Sequence, residues 1–363
     1  MVQVNRVCLK ILFINRPQFL VDSNDVFMKD AISKNEGLAL RGLCISLIVL
    51  HNFIHNVVPY TENEKSFDPV NADFFINNIL DHPILGFFSY LGWLGVPMFF
   101  FLSGYGLHKK YGNVVPNKFS FIKWHYLKLL LLAGPVIILS NILVKTSALH
   151  ILGQLTLLNN IYEYNWIRPA SFWFIRCAFE FYILYAIILH RIHPKLLLGL
   201  AFVITCSFYL LDWQVVNLLK YHHIGWILDF SLGIYVARYH QCMKYIENVY
   251  ASIILFILMI FSSVNEQTWM FSTVISILFF LTIKRYITFK PIVFIGTVSA
   301  FLYATHTAVR NVWGHLDTSI DYMNDNVLLI MLWICGYFLM SVLVAIVYGK
   351  CYDKVLSLIR RKK

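Results

Sequence analysis

The sequence predicts an all-α polytopic membrane bundle of about ten transmembrane helices, with both termini in the cytoplasm. Three observations predict it. Of 363 residues, 59% are hydrophobic and only 13% charged, where a soluble domain is nearer one quarter charged. The apolar runs are long and do not alternate, which selects helices over a barrel, the other structure able to satisfy its backbone in lipid. Lys and Arg fall between the runs with a strong bias to alternate gaps, which gives the orientation.

The predicted spans are 38–58, 84–107, 127–144, 170–190, 196–211, 224–237, 248–264, 267–283, 291–311 and 327–348. About 20 apolar residues cross a bilayer, so the fifth and sixth runs are the shortest acceptable. The segment 147–161 is apolar but too short and broken, and is expected to lie in the interface. With the N-terminus inside, the inner segments hold 24 Lys and Arg, and the outer ones hold only Lys65, Lys145, Arg168 and Lys220. The positive-inside rule then puts both ends in the cytoplasm. One span more or fewer would mix the two sets. The net charge of +11 is read as this anchoring rather than as nucleic-acid binding.

Residues 1–33 are expected to form a cytoplasmic segment, with Met28 a candidate true start. Residues 34–350 form the membrane domain and 351–363 a basic tail. The acidic loop after the first span and the loop carrying Asp317, Asp321 and Asp325 read first as solvated loops, and second as acceptor contacts. The seven cysteines are odd in number and hold no CxxC, so neither a disulfide framework nor a zinc site is suggested. Nothing signals an oligomeric state.

Ionisable side chains are costly in hydrocarbon and are functional candidates by default. The run RGLCISLIVLHNFIHN carries Arg41, His51 and His55 within one span. At about 1.5 Å per residue, the histidines sit roughly 15–21 Å beyond Arg41. Arg176, Glu180, Asp229, His306 and Arg310 lie at similar expected depths, which predicts one shared polar cavity. His51–His55, Arg176–Glu180 and His306–Arg310 are each i,i+4 and share a helix face. Arg176 and Glu180 read first as a structural ion pair, and second as substrate contacts. A lone histidine in a helix is usually a packed, hydrogen-bonded residue; two on one face near other ionisable groups suggest proton transfer. HxxxH without the Glu of HExxH or a third ligand gives no metal site. A second cluster, Lys123, His125 and Lys128 with Arg41, sits at the inner ends of spans three and one. Anchoring alone would explain it; the sharper reading is a site for a phosphate-bearing cytosolic donor.

Five segments in order, LALRGLCISLIVLHNFIH (38–55), GWLGVPMFFFLSGYGL (92–107), FIKWHYLKLLLL (121–132), FWFIRCAFEFYILY (172–185) and FIGTVSAFLYATH (294–306), resemble the acyltransferase-3 family of integral membrane acyltransferases. The resemblance covers about residues 34–350. It implies ten helices in the cell membrane, that of the bacterial inner membrane. It also implies transfer of an acyl group, commonly acetyl from acetyl-CoA, to a hydroxyl of a surface glycan or lipid-linked sugar. No permanently bound cofactor is implied. A first-span histidine would be catalytic, with the preceding Arg and an RxxR pair serving the CoA side. The family's histidine position is here Asn52, so His51 and His55 are both candidates for the base. The RxxR pair reads His125 and Lys128, with Lys123 as a substitute cation. Glu180 and His306 match family positions as pocket residues. Arg176 is a candidate oxyanion donor. The rival reading is a proton-coupled secondary transporter, disfavoured by the lack of an inverted repeat and of paired Gly/Pro-broken helices.

Overall fold

The computed structural model describes residues 30–57, 67–143, 147–157, 172–211, 215–216, 219, 221–316, 320–322 and 326–361. The candidate start at Met28, residues 58–66 at the start of the first loop, and Asp317 and Asp325 lie outside the described residues. Regular structure among them is entirely helical. We label the helices α1 (Lys34–Ile54), α2 (Pro69–Asn78), α3 (Pro83–Gly86), α4 (Val96–Tyr111), α5 (Lys118–Leu143), α6 (Ala148–Leu155), α7 (Trp173–Ile187), α8 (Pro194–Ser207), α9 (Ile227–Arg238), α10 (Val249–Ser263), α11 (Ser272–Ile283), α12 (Lys290–Leu316) and α13 (Val327–Arg361).

Five stretches are long and apolar enough to cross a membrane: Lys34–Ile54, Pro83–Tyr111, Lys118–Ile142, Lys290–Leu316 and Val327–Ile359. Pro194–Leu210, Val249–Ser263 and Trp269–Ile283 are shorter apolar helices. α7 and α9 occupy the two other positions where the sequence predicts spans. The chain is thus a multi-pass helical membrane protein. Two boundaries differ from the hydropathy reading. α5 starts nine residues before residue 127, so FIKWHYLK is helical rather than a flank. The last helix runs on to Arg361, so residues 351–361 extend it. In both places polar residues follow a helical pattern that an apolar window does not count.

The first helix opens on a capping box. The Glu36 amide donates to the Ser33 hydroxyl at 3.3 Å, and the Ser33 amide donates to Glu36 at 2.6 Å. α1 packs most extensively on α12. A Cβ on Gly42 would strike the carbonyl of Ile292, and one on Gly296 the carbonyl of Leu38. Glycine on both sides lets the two backbones touch, the small-residue packing that membrane helices use in place of a hydrophobic driving force. The same device joins α4 to α9, where Gly104 meets Phe230 and Gly233 meets Phe101.

The second predicted span is not one regular helix. Between α3 and α4 the chain takes a π turn over Phe87–Leu91 and a 3₁₀ turn over Gly92–Gly95. Both turns lie against α1. A Cβ on Gly92 would come within 2.7 Å of the His51 Cβ, and one on Gly95 within 2.6 Å of the Cys44 carbonyl. Helix irregularities of this kind gather at functional sites. Pro135 interrupts α5 and frees the carbonyl of Leu131. The Tyr348 hydroxyl of α13 lies 3.4 Å from that carbonyl and 2.8 Å from that of Leu132. A neighbouring helix thus satisfies what the proline releases.

The contact between α1 and α12 makes a testable statement. Gly296→Val should cost about 3 kcal/mol or more, because backbone cannot yield as a flexible side chain does. Gly106→Ala, whose Cβ meets nothing within 4 Å, should be neutral or stabilising by up to about 1 kcal/mol. Thermal unfolding of the two variants in detergent checks the contrast; equal melting temperatures would contradict it.

Candidate active site

α1 and α12 run parallel, and the residues ten beyond the Gly42–Gly296 crossing meet. The Asn52 amide donates to His306 Nε2 at 3.3 Å. His306 Nδ1 faces the carbonyls of Tyr303 at 2.8 Å and Leu302 at 3.1 Å. A carbonyl only accepts, so Nδ1 carries the hydrogen and Nε2 the lone pair that Asn52 fills. The His306 ring is therefore engaged at both nitrogens and orients Asn52. One turn on, Arg310 donates to the Asn52 carbonyl at 3.0 Å, and the Asn56 amide donates to it at 2.7 Å. That carbonyl belongs to the last turn of α1, whose acceptors have no partner within the helix.

His51 is buried at 4% exposure and points the other way, toward the π turn. Its Nδ1 donates to the Phe88 carbonyl at 3.2 Å. The neutral ring then presents Nε2 as its basic atom. His55, at the C-cap of α1, stacks on His51 with ring centroids 5.5 Å apart and planes inclined by 18°. The two histidines form one parallel pair at the end of the helix.

The expected single cavity divides into separate places. Arg176 and Glu180 are buried on α7, but the Glu180 carboxylate engages His222 and His223 rather than Arg176. It accepts from the His223 amide at 2.9 Å and lies 2.8 Å from His223 Nδ1 and 3.4 Å from His222 Nδ1. The expected i,i+4 ion pair is thus replaced by a pairing across the fold, in which an amide and two rings surround the carboxylate. Asp229, 2% exposed, lies in a small cavity walled by Trp93, Trp226 and Trp269. No hydrogen bond joins Asp229, Glu180 and His306 to one another among the described residues. His222 and His223 were missed because they lie in a short polar stretch before α9; an adjacent HH pair beside an apolar run was the available signal.

At the other end of α1, Arg41 interacts electrostatically with Tyr182 of α7. The Tyr182 ring lies 4.5 Å from the His125 ring, which stacks in turn near Phe121 at 4.1 Å. His125 Nδ1 donates to the Phe121 carbonyl at 2.8 Å. Lys110 and Lys128 both lie near enough to act on His125 electrostatically. Lys128 also lies over the Trp124 ring at 5.1 Å, and Lys123 is exposed. The structure thus gathers Arg41, His125 and Lys128 with two residues the sequence did not single out, Tyr182 and Lys110. Tyr182 falls two places after Glu180 and was legible only as part of the segment FWFIRCAFEFYILY.

Beside the Asn52–His306 pair opens a pocket of about 410 Å³, lined by Phe53, Asn56, Arg310, Asn311, Gly314 and Tyr322 among others. This is within the range of small-molecule sites.

The structure is that of a helical membrane protein with polar side chains gathered at both ends of its first helix. The family model described as an acyltransferase domain matches residues 39–350, nearly the whole chain. The chain therefore belongs to the acyltransferase-3 family, and is a membrane acyltransferase. No curated protein and no solved structure matches it.

The Glu180 cluster yields a stability prediction. Glu180→Ala should lower stability by about 1.5–3 kcal/mol, since it removes charged hydrogen bonds and strands the His223 amide. Unfolding in detergent measures it; an unchanged midpoint would show the cluster to be energetically idle.

Proposed function

We propose that the protein transfers an acyl group, of acetyl type, from a cytosolic acyl-CoA to a hydroxyl of a cell-surface or lipid-linked glycan. His51 acts as the general base. The observation that carries this is the buried His51 ring, tethered through Nδ1 to the Phe88 carbonyl at 3.2 Å. That tether puts the hydrogen on Nδ1 and the basic lone pair on Nε2, and it holds the ring in place.

The chemistry needs such a group. A sugar hydroxyl attacks a thioester poorly while it keeps its proton. Nε2 of His51 accepts that proton as the oxygen bonds to the thioester carbon. The carbon–sulfur bond then breaks, and the protonated ring returns the proton to the departing CoA sulfur. The acyl ester and free CoA thiol result. A positioned base typically contributes about 10²–10⁴-fold. His55, stacked on His51, restricts the ring's orientation.

The donor is assigned to the Arg41 end. Arg41 and Lys128, with Lys110 added, supply cations for CoA phosphates, and His125 lies beside them. Arg41 precedes His51 by ten residues on one helix, about 15 Å, so the acyl–pantetheine arm would have to run along α1. The distribution of 24 inner and four outer Lys and Arg supports ten spans, both termini in the cytoplasm, and the Arg41 end facing the cytosol. The protein then sits in the bacterial inner membrane, with acceptor reaching the histidines from the opposite end.

Purified protein in lipid nanodiscs, given radiolabelled acetyl-CoA and surface polysaccharide, tests this. His51→Ala should reduce label transfer by about 10²–10⁴-fold. Arg41→Ala should raise the KM for acetyl-CoA by about tenfold or more, the loss of one charged phosphate contact. If His51→Ala transfers label at the wild-type rate, the assignment of the base is lost.

A further inference from the structure

The 410 Å³ pocket beside the Asn52–His306 pair has an unusual charge. Of the described residues that line it, none is acidic. Arg310 is its cation, flanked by the amides of Asn56 and Asn311 and the phenol of Tyr322. The guanidinium spends one N–H on the Asn52 carbonyl at 3.0 Å. That is its one hydrogen bond among the described residues, and no carboxylate pairs with it there. A guanidinium has five N–H donors in a planar fork. Capping the end of α1 explains one of them.

Arg310 belongs to an apolar helix, where an uncompensated charge is costly. A bidentate anion is the partner its geometry suits best. The surrounding amides donate as well, and would serve a sugar's hydroxyls or the anion's remaining oxygens. The pocket touches Phe53 and Asn56, which flank the candidate catalytic turn of α1. A group held on Arg310 would thus sit beside the last turn of α1, whose Asn52 carbonyl the same side chain caps.

We infer that this pocket selects an acceptor bearing a negative charge, a carboxylate or phosphate close to the hydroxyl that is acylated, and that Arg310 reads that charge. The inference rests on the acyltransferase reading above and names the acceptor's class. Neutral acceptors would leave the guanidinium desolvated and unpaired, a penalty that discriminates against them.

Gly314 gives a clean test. It lines the pocket, lies four residues beyond Arg310 on α12, and a Cβ there meets nothing within 4 Å. Gly314→Glu therefore puts a carboxylate beside Arg310 at i,i+4 spacing, filling the anion site from within. Gly314→Gln adds the same bulk without charge. Two probes are compared, 4-nitrophenyl β-glucuronide and 4-nitrophenyl β-glucoside, first as acceptors with acetyl-CoA. The wild type and Gly314→Gln should favour the glucuronide in kcat/KM by about tenfold or more, the worth of one charged hydrogen bond. Gly314→Glu and Arg310→Gln should lose that ratio through KM, and Arg310→Lys should restore part of it. Equal ratios in all variants would overturn the inference while leaving acyl transfer intact.

Binding is measured separately, as the thermal shift of detergent-solubilised protein, so a failure of catalysis is not read as a failure of the site. If no probe is acylated, but glucuronide stabilises the wild type and not Gly314→Glu, the acceptor chemistry of the reading falls and the anion site stands. If phosphatidylglycerol stabilises the wild type and glucuronide does not, the occupant is a lipid headgroup and the inference is overturned.

Discussion

The close contact of α1 and α12 at Gly42 and Gly296 is the constraint on which the rest of the arrangement depends. In lipid there is no water to expel between helices, so packing and hydrogen bonds decide which helices pair. Two glycines facing one another bring the carbonyls of Ile292 and Leu38 onto opposing backbone, where any side chain would collide. That contact fixes distance and register together. Ten residues on, the same register sets Asn52 against His306 at 3.3 Å, and the last turn of α1 against Arg310. A helix slipped by one turn would separate both pairs.

The opposite face of α1 is set by a different compromise. Gly92 and Gly95 let the irregular π and 3₁₀ turns press against His51 and Cys44. The Phe88 carbonyl accepts from the Gly92 amide and also from His51. The second lone pair of that carbonyl thus supplies the tether. At Pro135 the Tyr348 hydroxyl lies 3.4 Å from the Leu131 carbonyl, which the proline leaves without its helical donor.

α1 therefore works as a spacer with a polar group at each end. Arg41, Tyr182 and His125 occupy one end, and the stacked histidines with Asn52 the other. Between them the helix is packed with buried Cys44, Ile45, Ile48 and Val49. The buried carboxylates stand apart from both ends. Glu180 ties the start of α9 to α7 through His222 and His223, and Asp229 sits among tryptophans in its own cavity.

By itself the sequence determined the helical membrane class, the position of each long apolar helix and the family. These follow from local composition, since lipid demands apolar runs and internally satisfied backbone whatever the neighbours do. It also marked the buried ionisable residues, because charge in an apolar run is conspicuous. Their partners were decided by tertiary structure. The i,i+4 rule pairs Arg176 with Glu180, yet histidines more than forty positions away take the carboxylate. Asn52 reads as a departure from a motif until His306, 254 residues on, is seen to hold it. The physical reason is common to both. Spacing along a helix reports which residues share a face, while the hydrogen bonds that give those residues their roles are made to whatever that face is packed against.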